Sequence, residues 1–573
     1  MRVAVIDKEL ITEECTPLII KDCPVNRSGK ECIVMGEDGK PVINEELCIG
    51  CGICVKRCPE GAITIVNLPE ELDEKCLHRY GKNGFALYKS PVPSKNKVLG
   101  ILGQNGTGKS TALKILSGEI EPNLGDEEKA SKKKLVKYFA GSELQSYFEN
   151  MSEKKISTKP QDVEKIPKLF EGTVGELLKK SDERGIFDEI ISDLNLKNCL
   201  DTSVKEVSGG ELQKAAIAAS IMKDSDVYFF DEPSSYLDVR ERLRMAEVIR
   251  KLAEKSTVVV VEHDLIVLDY LGDNVNVFYG KPATYGIVSF PKSVRMGINE
   301  YLKGFLREEN VRFRDQPLKF VIKSPADKGK ALPLVEFKEI KKEFDSFKLE
   351  VEKGQIYNKE IVGILGPNAT GKTTFMKILA GVLEADDGKL SKEIKISYKP
   401  QYIKPENDTI VRLALKGAGS LINKLDLDKL LDKQMSNLSG GELQKVAIAS
   451  CLSKNADLYL LDEPSAHLDV EQRIKIADIL KKEIELKEKS AIVVDHDIMF
   501  LDYVSDRLMP FLGESGKSGA GFGPFSMEKG MNLFLKDVGI TFRRDEDTKR
   551  PRVNKKGSIK DREQKKKGKY YYG

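Results

Sequence analysis

The sequence predicts an α/β protein in which one domain occurs twice, behind a small N-terminal α+β domain. Three observations carry that reading. The stretch 207–238, VSGGELQKAAIAASIMKDSDVYFFDEPSSYLD, returns at 438–469 as LSGGELQKVAIASCLSKNADLYLLDEPSAHLD. A glycine-rich loop ending in Gly-Lys-Ser or Gly-Lys-Thr precedes each copy, and a run of closely spaced cysteines precedes both. Self-similarity on this scale is the mark of a duplicated structural unit.

Each copy begins with Ser-Gly-Gly-Glu and continues into a segment with an apolar helical face. The short apolar runs 227–230 and 458–461 then read as buried strands. They deliver Asp231-Glu232 and Asp462-Glu463 at their carboxyl ends, where α/β sheets place ligands.

The two loops, Gly103-Gln-Asn-Gly-Thr-Gly-Lys-Ser110 and Gly366-Pro-Asn-Ala-Thr-Gly-Lys-Thr373, fit G-x-x-x-x-G-K-S/T. Each follows an apolar strand and opens a helix, the context in which this motif cradles phosphates. Main-chain amides around Asn105, Gly106, Gly108 and Thr111, and around Asn368, Gly371 and Thr374, would close on the anion at the helix start. Lys109 and Lys372 would neutralise the β- and γ-phosphates, while Ser110 and Thr373 would hold Mg2+.

With these motifs, each half resembles the nucleotide-binding module of the ABC ATPases. The resemblance implies a head-to-tail pair in which the Ser-Gly-Gly turn of one module caps the nucleotide of the other. Site one would join Lys109, Ser110, Asp231, Glu232 and His263 to Ser439, Gly440 and Gly441. Site two would join Lys372, Thr373, Asp462, Glu463 and His496 to Ser208, Gly209 and Gly210. It further implies that the aspartates hold Mg2+ through water, the glutamates polarise the attacking water, and the histidines steady the γ-phosphate. Gln161 and Gln401, each in Lys-Pro-Gln, match the glutamine that reaches Mg2+ in that family. Tyr80 and Phe85 stand where the family stacks an aromatic on adenine, and core packing is the alternative there.

A chain of 573 residues exceeds a single core. The small net charge of +3 beside 32% charged residues suits a protein with many exposed faces. No apolar run approaches the roughly 20 residues of a membrane span, and MRVAVIDKEL reads as a first strand rather than a signal peptide. A transporter carrying its own membrane domain is excluded on this reading; a detached transporter ATPase is not. A cytoplasmic location is expected, because the ATPase loops argue against a secreted disulfide framework.

The run Cys48-x-x-Cys51-x-x-Cys54-x-x-x-Cys58-Pro is the bacterial ferredoxin pattern for a 4Fe–4S cluster, with zinc as the alternative. Its fourth cysteine serves a second cluster, so Cys23, in Cys23-Pro24, completes the set Cys23, Cys48, Cys51 and Cys54. For the second cluster Cys58 finds only Cys15. The other two positions of the family's spacing fall on Leu10 and Ile19, which cannot bind iron. Cys32 lies outside that spacing. One cluster is therefore expected, the pair Cys15 and Cys58 being a remnant of another.

In chain order the expected divisions are a ferredoxin-like iron–sulfur domain at 1–71, a first ATPase module at 72–285, a hinge at 286–325, a second module at 326–510, and a C-terminal hinge and basic tail at 511–573. The stretch from Lys109 to Ser208 is longer than that from Lys372 to Ser439, which predicts a helix-loop-helix insertion near 140–155. The segments around 286–320 and 523–544 share a pattern and lack the composition of a flexible linker. The tail after Lys549 interleaves Lys and Arg with tyrosines, which reads either as a solvated charge run or as a contact for RNA.

The full set of features, LCIGCGICVKRCPEGAI, the inserted helix-loop-helix, YGIVSFPKSVRMGIN and PRVNKKGSIKDREQKKKGKYYYG, resembles the soluble iron–sulfur twin ATPases of ABC subfamily E, the RNase L inhibitor family. That resemblance implies ribosome recycling: binding of the small ribosomal subunit and its rRNA with a release or stalled-ribosome rescue factor, and subunit splitting on ATP-driven closure. Initiation factors are a further implied partner. It also implies a monomer whose two modules pair with each other. The chain departs from the family at Leu10, at Ile19 and at His467, where a tyrosine is usual. A ribosome-bound regulatory ATPase without splitting activity and an ATPase of iron–sulfur assembly are the alternatives.

Overall fold

The computed structural model describes the chain except for residues 1, 7–10, 12–13, 37–38, 45–46, 59–61, 68–75, 82, 315, 319, 321–332, 392, 404–408 and 573. Leu10, the boundary expected at 71, and the last residues of the expected first hinge lie outside the described residues.

The duplication is repeated in three dimensions as two nine-stranded sheets of the same strand order. In the first, Asn274–Lys281, Val98–Gly103, Thr257–Val261, Val227–Asp231 and Ile156–Lys159 lie side by side and parallel. In the second, the same places are taken by Arg507–Leu512, Ile361–Leu365, Ser490–Val494, Leu458–Asp462 and Ile396–Lys399. The central strands are apolar along their length because helices cover both faces: every residue of Thr257–Val261 and of Leu458–Asp462 is buried.

The sheets also reach past the boundaries expected at 285 and 510. Tyr285–Val288 and Lys292–Ser293 pair with Asn274–Lys281, while Ser518–Gly521 and Phe525–Ser526 pair with Arg507–Leu512. Each added strand is an antiparallel return onto the strand just before the boundary, with Tyr285 opposite Lys281 and Ala520 opposite Leu512.

The N-terminal domain is α+β. Arg2–Ile6 pairs antiparallel with Ile63–Asn67, and helices Cys15–Asp22 and Ile53–Arg57 pack against each other over a small core. Among the described residues no helix is long and apolar enough to cross a membrane.

The insertion starts earlier than expected. Its helices are Lys132–Tyr138, capped by Ser131, and Glu143–Glu149. Phe139 stacks on Phe148 with ring centroids 4.9 Å apart, and the Tyr147 hydroxyl donates to Leu116 O at 2.8 Å. The lysine run 132–134 hid the first helix, whose only buried residue is Leu135.

Hinges cross between modules. Helix Val294–Lys303 and its counterpart Met527–Val538 both end at a left-handed glycine, Gly304 and Gly539. Arg314, after the first, donates to Glu471 of the second module at 2.9 Å. After the second, Arg550 and Arg552 reach back to Asp269 of the first module at 3.2 and 2.6 Å. Asp545 meanwhile accepts from Asn299 at 3.0 Å.

The basic tail is therefore a folded element and not a free charge run. Arg550 is wholly buried, and Asn554, Asp561, Gln564 and Tyr571 are buried around it or beyond it. The outer face of helix Ile559–Lys566 still presents Lys560, Arg562 and Lys566 to solvent. Truncation after Arg552 would unpick this packing, so charge reversal on the outer face is the cleaner probe of RNA contact. Arg550→Ala is expected to cost about 1–3 kcal/mol by removing one of the two arginines that hold the buried Asp269, Arg552 remaining. An unchanged thermal unfolding midpoint would count against the hinge as a stabilising lock.

Candidate active sites and cluster site

Both phosphate loops sit at the carboxyl end of the central parallel strand, with the helix opening at Lys109 or Lys372. Gly108 and Gly371 adopt left-handed backbone there, and a Cβ at either would strike Phe85 or Phe347. Phe85 thus packs beneath the loop as a support, and Phe347 is its unforeseen counterpart in the second module. Tyr80 is half-exposed beside the loop, its hydroxyl 3.4 Å from that of Thr111.

In site one, Lys109 Nζ donates to the Gly103 and Gln104 carbonyls at 2.9 and 2.8 Å. Ser110 Oγ donates to Asp231 Oδ2 at 3.3 Å. Gln161 Nε2 donates to Glu232 Oε1 at 2.8 Å, and His263 Nε2 lies 3.5 Å from the same oxygen. Site two repeats the set: Lys372 donates to Gly366 O at 3.0 Å, Gln401 to Glu463 Oε1 at 2.7 Å, and His496 Nε2 lies 3.3 Å from it. Thr373 has its hydroxyl near Asp462.

The electrostatics suit a bound cation and polyanion. Burial, followed by the charge of Glu232, pushes Asp231 up to about 6. Burial does the same to Asp462, whose two carboxylate oxygens are enclosed without a hydrogen-bond partner. Orphaned acceptors beside Thr373, and in site one a carboxylate met only weakly by Ser110, fit Mg2+. Burial lowers Lys109 to about 8, and lowers Lys372 as well. It also holds His263 far below its ordinary value, so that imidazole is neutral. Burial opposes ionisation of Glu463, but the hydrogen bond and charge of His496 outweigh it and hold the carboxyl below its usual range.

The Ser-Gly-Gly turns are explained by local chemistry. Ser208 and Ser439 each cap a long helix, accepting from the N–H of Glu211 or Glu442, whose carboxylate accepts from the serine N–H in return. This is the S-x-x-E capping box. It places Gly209 and Gly210, or Gly440 and Gly441, at the positive end of the helix.

Residues absent from the sequence-based list join the modules. Asp469 Oδ2 accepts from Asn105 N at 3.0 Å, and Asp238 Oδ2 accepts from Asn368 N at 2.8 Å. Tyr236 O accepts from Asn368 Nδ2 at 3.1 Å, and the Tyr236 ring meets His467 edge-on across the interface. Gln104 bonds Glu471 of the other module. Gly210 lies close to the Asn368 amide. The signal was present as the Leu-Asp that ends both repeat copies.

In the N-terminal domain five thiols adjoin. Cys32 contacts Cys23 and Cys48, and Cys54 neighbours Cys48 and Cys51. Ala4 N donates to Cys48 Sγ at 3.3 Å. Left-handed Gly50 and Gly52 make the tight turn between the cysteines. Burial, then the charges of Cys48 and Cys51, pushes the Cys54 thiol up to about 11. Crowded thiols ionise together only when a metal supplies the countercharge. Among the described residues no three His, Cys, Asp or Glu side chains close on a single-ion site; a cubane, whose irons lie between its thiols, fits the donor set. Cys15 and Cys58 are buried in the same core as Ile19, which is wholly enclosed.

Two phosphate loops, each reached by an aspartate of the other module, define a twin-module ATPase of the ABC type. The family profile described as "ABC transporter" matches residues 93–235 and 349–466, and "4Fe-4S binding domain" matches 41–64. A solved structure described as "Model of ribosome-bound archaeal Pelota and ABCE1" is 51% identical, with a TM-score of 0.94 over 100% of this chain and 99% of that one. The chain belongs to the ABCE1 family, the RNase L inhibitors of ABC subfamily E. An uncharacterized ABC transporter ATP-binding protein of Methanocaldococcus jannaschii is 52% identical over 100% of this chain and 98% of the relative. The archaeal recycling factor aABCE1, in crystals with the ribosomal stalk protein aP1, is 50% identical with a TM-score of 0.84, covering 88% of this chain and all of that one.

Proposed function

We propose that this chain is an ATP-driven ribosome recycling factor, which separates subunits after termination or stalling and stays on the small subunit. The observation that carries the reading is the reciprocal docking of Asp469 on the Asn105 amide and Asp238 on the Asn368 amide. It makes the two nucleotide sites and the inter-module interface one structure. ATP at Lys109 and Lys372 would then be held between modules and its hydrolysis would release them.

In each site Lys109 or Lys372 binds the β- and γ-phosphates, and the turn at Ser439 or Ser208, respectively, in the other module caps the γ-phosphate. Ser110 with Gln161, and Thr373 with Gln401, would hold Mg2+, with Asp231 and Asp462 behind; when bound it neutralises developing phosphate charge. Glu232 and Glu463 orient the attacking water and accept its proton, while His263 and His496 keep the γ-phosphate in line. Tyr80 borders the adenine position, with Phe85 supporting the phosphate loop behind it. Closure is carried outward by the crossed hinges, whose arginines tie each module's C-terminal element to the other module.

The N-terminal domain would carry one 4Fe–4S cluster on Cys23, Cys48, Cys51 and Cys54, where it stiffens a domain with few core residues. Ile19 occupies core at a position where the family's second cluster takes a ligand.

Co-sedimentation tests the partner. The chain is expected to pellet with small ribosomal subunits in a non-hydrolysable ATP analogue, more weakly as salt rises. Lys560→Glu/Arg562→Glu/Lys566→Glu is expected to weaken that binding while ATP turnover in isolation is unchanged. Binding indifferent to nucleotide and salt would contradict the reading.

A further inference from the structure

Each catalytic glutamate is held in an unusual backbone conformation. Glu232 and Glu463 have φ of 47° and 48°, the left-handed region that a non-glycine residue occupies only when its surroundings enforce it. Both stand where a buried strand turns into the loop that leads to the other module.

What enforces it is the same in both modules. Lys159, wholly buried, donates from Nζ to the Asp231 carbonyl at 2.9 Å and reaches the Glu232 carbonyl at 3.5 Å. Lys399 donates to the carbonyls of Asp462 and Glu463 at 2.6 and 3.2 Å. Gln213 Nε2 adds bonds to the Glu232 and Pro233 carbonyls at 2.9 and 3.0 Å, and Gln444 adds one to the Glu463 carbonyl at 2.5 Å. Two residues beyond each lysine, Gln161 and Gln401 hold the carboxylate of the same glutamate. Lys-Pro-Gln is therefore one device that grips a glutamate at both ends, its main-chain carbonyl by the lysine and its side chain by the glutamine. An ammonium buried this deeply is costly unless balanced; burial lowers Lys159 and Lys399 to about 8, and the adjoining aspartate and glutamate carboxylates oppose that.

We propose that Lys159 and Lys399 are positioning residues for hydrolysis, fixing the main chain of Glu232 and Glu463 so that each carboxylate meets the water beside the γ-phosphate. The donors of both lysines are directed to main-chain carbonyls. The inference rests on the reading of Glu232 and Glu463 as the water-orienting groups.

The test is ATP hydrolysis by the full chain, at steady state and under single turnover. The paired variant Lys159→Met/Lys399→Met keeps side-chain length and apolar stem but removes the donors. Its kcat is expected to fall roughly 10- to 100-fold, the range for losing a group that orients a ligand, with KM for ATP unchanged. Combined with Glu232→Gln/Glu463→Gln, it is expected to add no further loss, because both changes act through one carboxylate. A merely structural role would raise KM or multiply the two losses. Wild-type kcat, a change confined to KM, or multiplying losses would each overturn the inference. If the paired methionine variant does not fold, Gln213→Met/Gln444→Met removes the second donor to the same turns and must show the same split. A slow Glu→Gln pair beside a wild-type Lys→Met pair overturns this inference alone. A wild-type Glu→Gln pair overturns the glutamate reading and this inference with it.

Discussion

Glu232→Gln/Glu463→Gln is expected to bind ATP like the parent chain and to hydrolyse it about 10²–10⁴-fold more slowly, the range for a lost general base. Affinity resides in the loop amides with Lys109 and Lys372, and the substitution touches none of them. Ser110, Asp231, Thr373 and Asp462, the side chains proposed to hold the cation, also remain. What disappears is an anionic oxygen that accepts from Gln161 at 2.8 Å or Gln401 at 2.7 Å and lies beside His263 or His496. An amide there can still accept a hydrogen bond, but it cannot take up the water's proton. The modules should consequently stay closed on ATP, with the Asn105–Asp469 and Asn368–Asp238 contacts intact. Turnover by phosphate release, with bound ATP counted after rapid filtration, checks both halves of the expectation. Hydrolysis at the parental rate would show that the role lies elsewhere.

The second large effect concerns iron. Anaerobically prepared protein is expected to hold about four irons and four sulfides per chain rather than about eight, since each cubane takes four cysteines. Cys54→Ser should abolish the cluster absorbance, because Cys54 neighbours Cys48 and Cys51. Cys15→Ser should leave it intact. Cys15 and Cys58 share their core with the fully buried Ile19, an aliphatic side chain that offers iron no ligand. Cys32 adjoins Cys23 and Cys48. Near eight irons per chain would contradict the single-cluster assignment.

The parts legible in the sequence were those written in short, closely spaced motifs. The phosphate loops, the Ser-Gly-Gly-Glu caps and the Asp-Glu strand ends each specify local geometry, and their duplication made chance an untenable reading. Their convergence with Gln161, Gln401 and the two histidines follows from sheet order, which such motifs imply. Contacts between residues far apart in the chain were not legible. Arg550 and Asp269 meet only because the hinges cross, so a buried basic residue looked like one more charge in a solvated tail. The hairpin of Cys76–Arg79 and Ala86–Tyr88 joins the first sheet only by pairing with Tyr285–Val288, far along the chain. Asp238 and Asp469 were visible in both repeat copies, yet their partners lie in the opposite module. Lys159 and Lys399 were hidden because a strand lysine ordinarily reads as exposed.

The central claim, that ATP closure of these modules drives ribosomal subunits apart, is tested most directly by light scattering from assembled ribosomes. With the parent chain, a release or rescue factor and ATP, scattering should fall as subunits separate, and with ADP it should hold steady. Scattering that stays constant with ATP, while the chain binds the small subunit and hydrolyses nucleotide, would contradict the account and leave a ribosome-bound regulatory ATPase in its place.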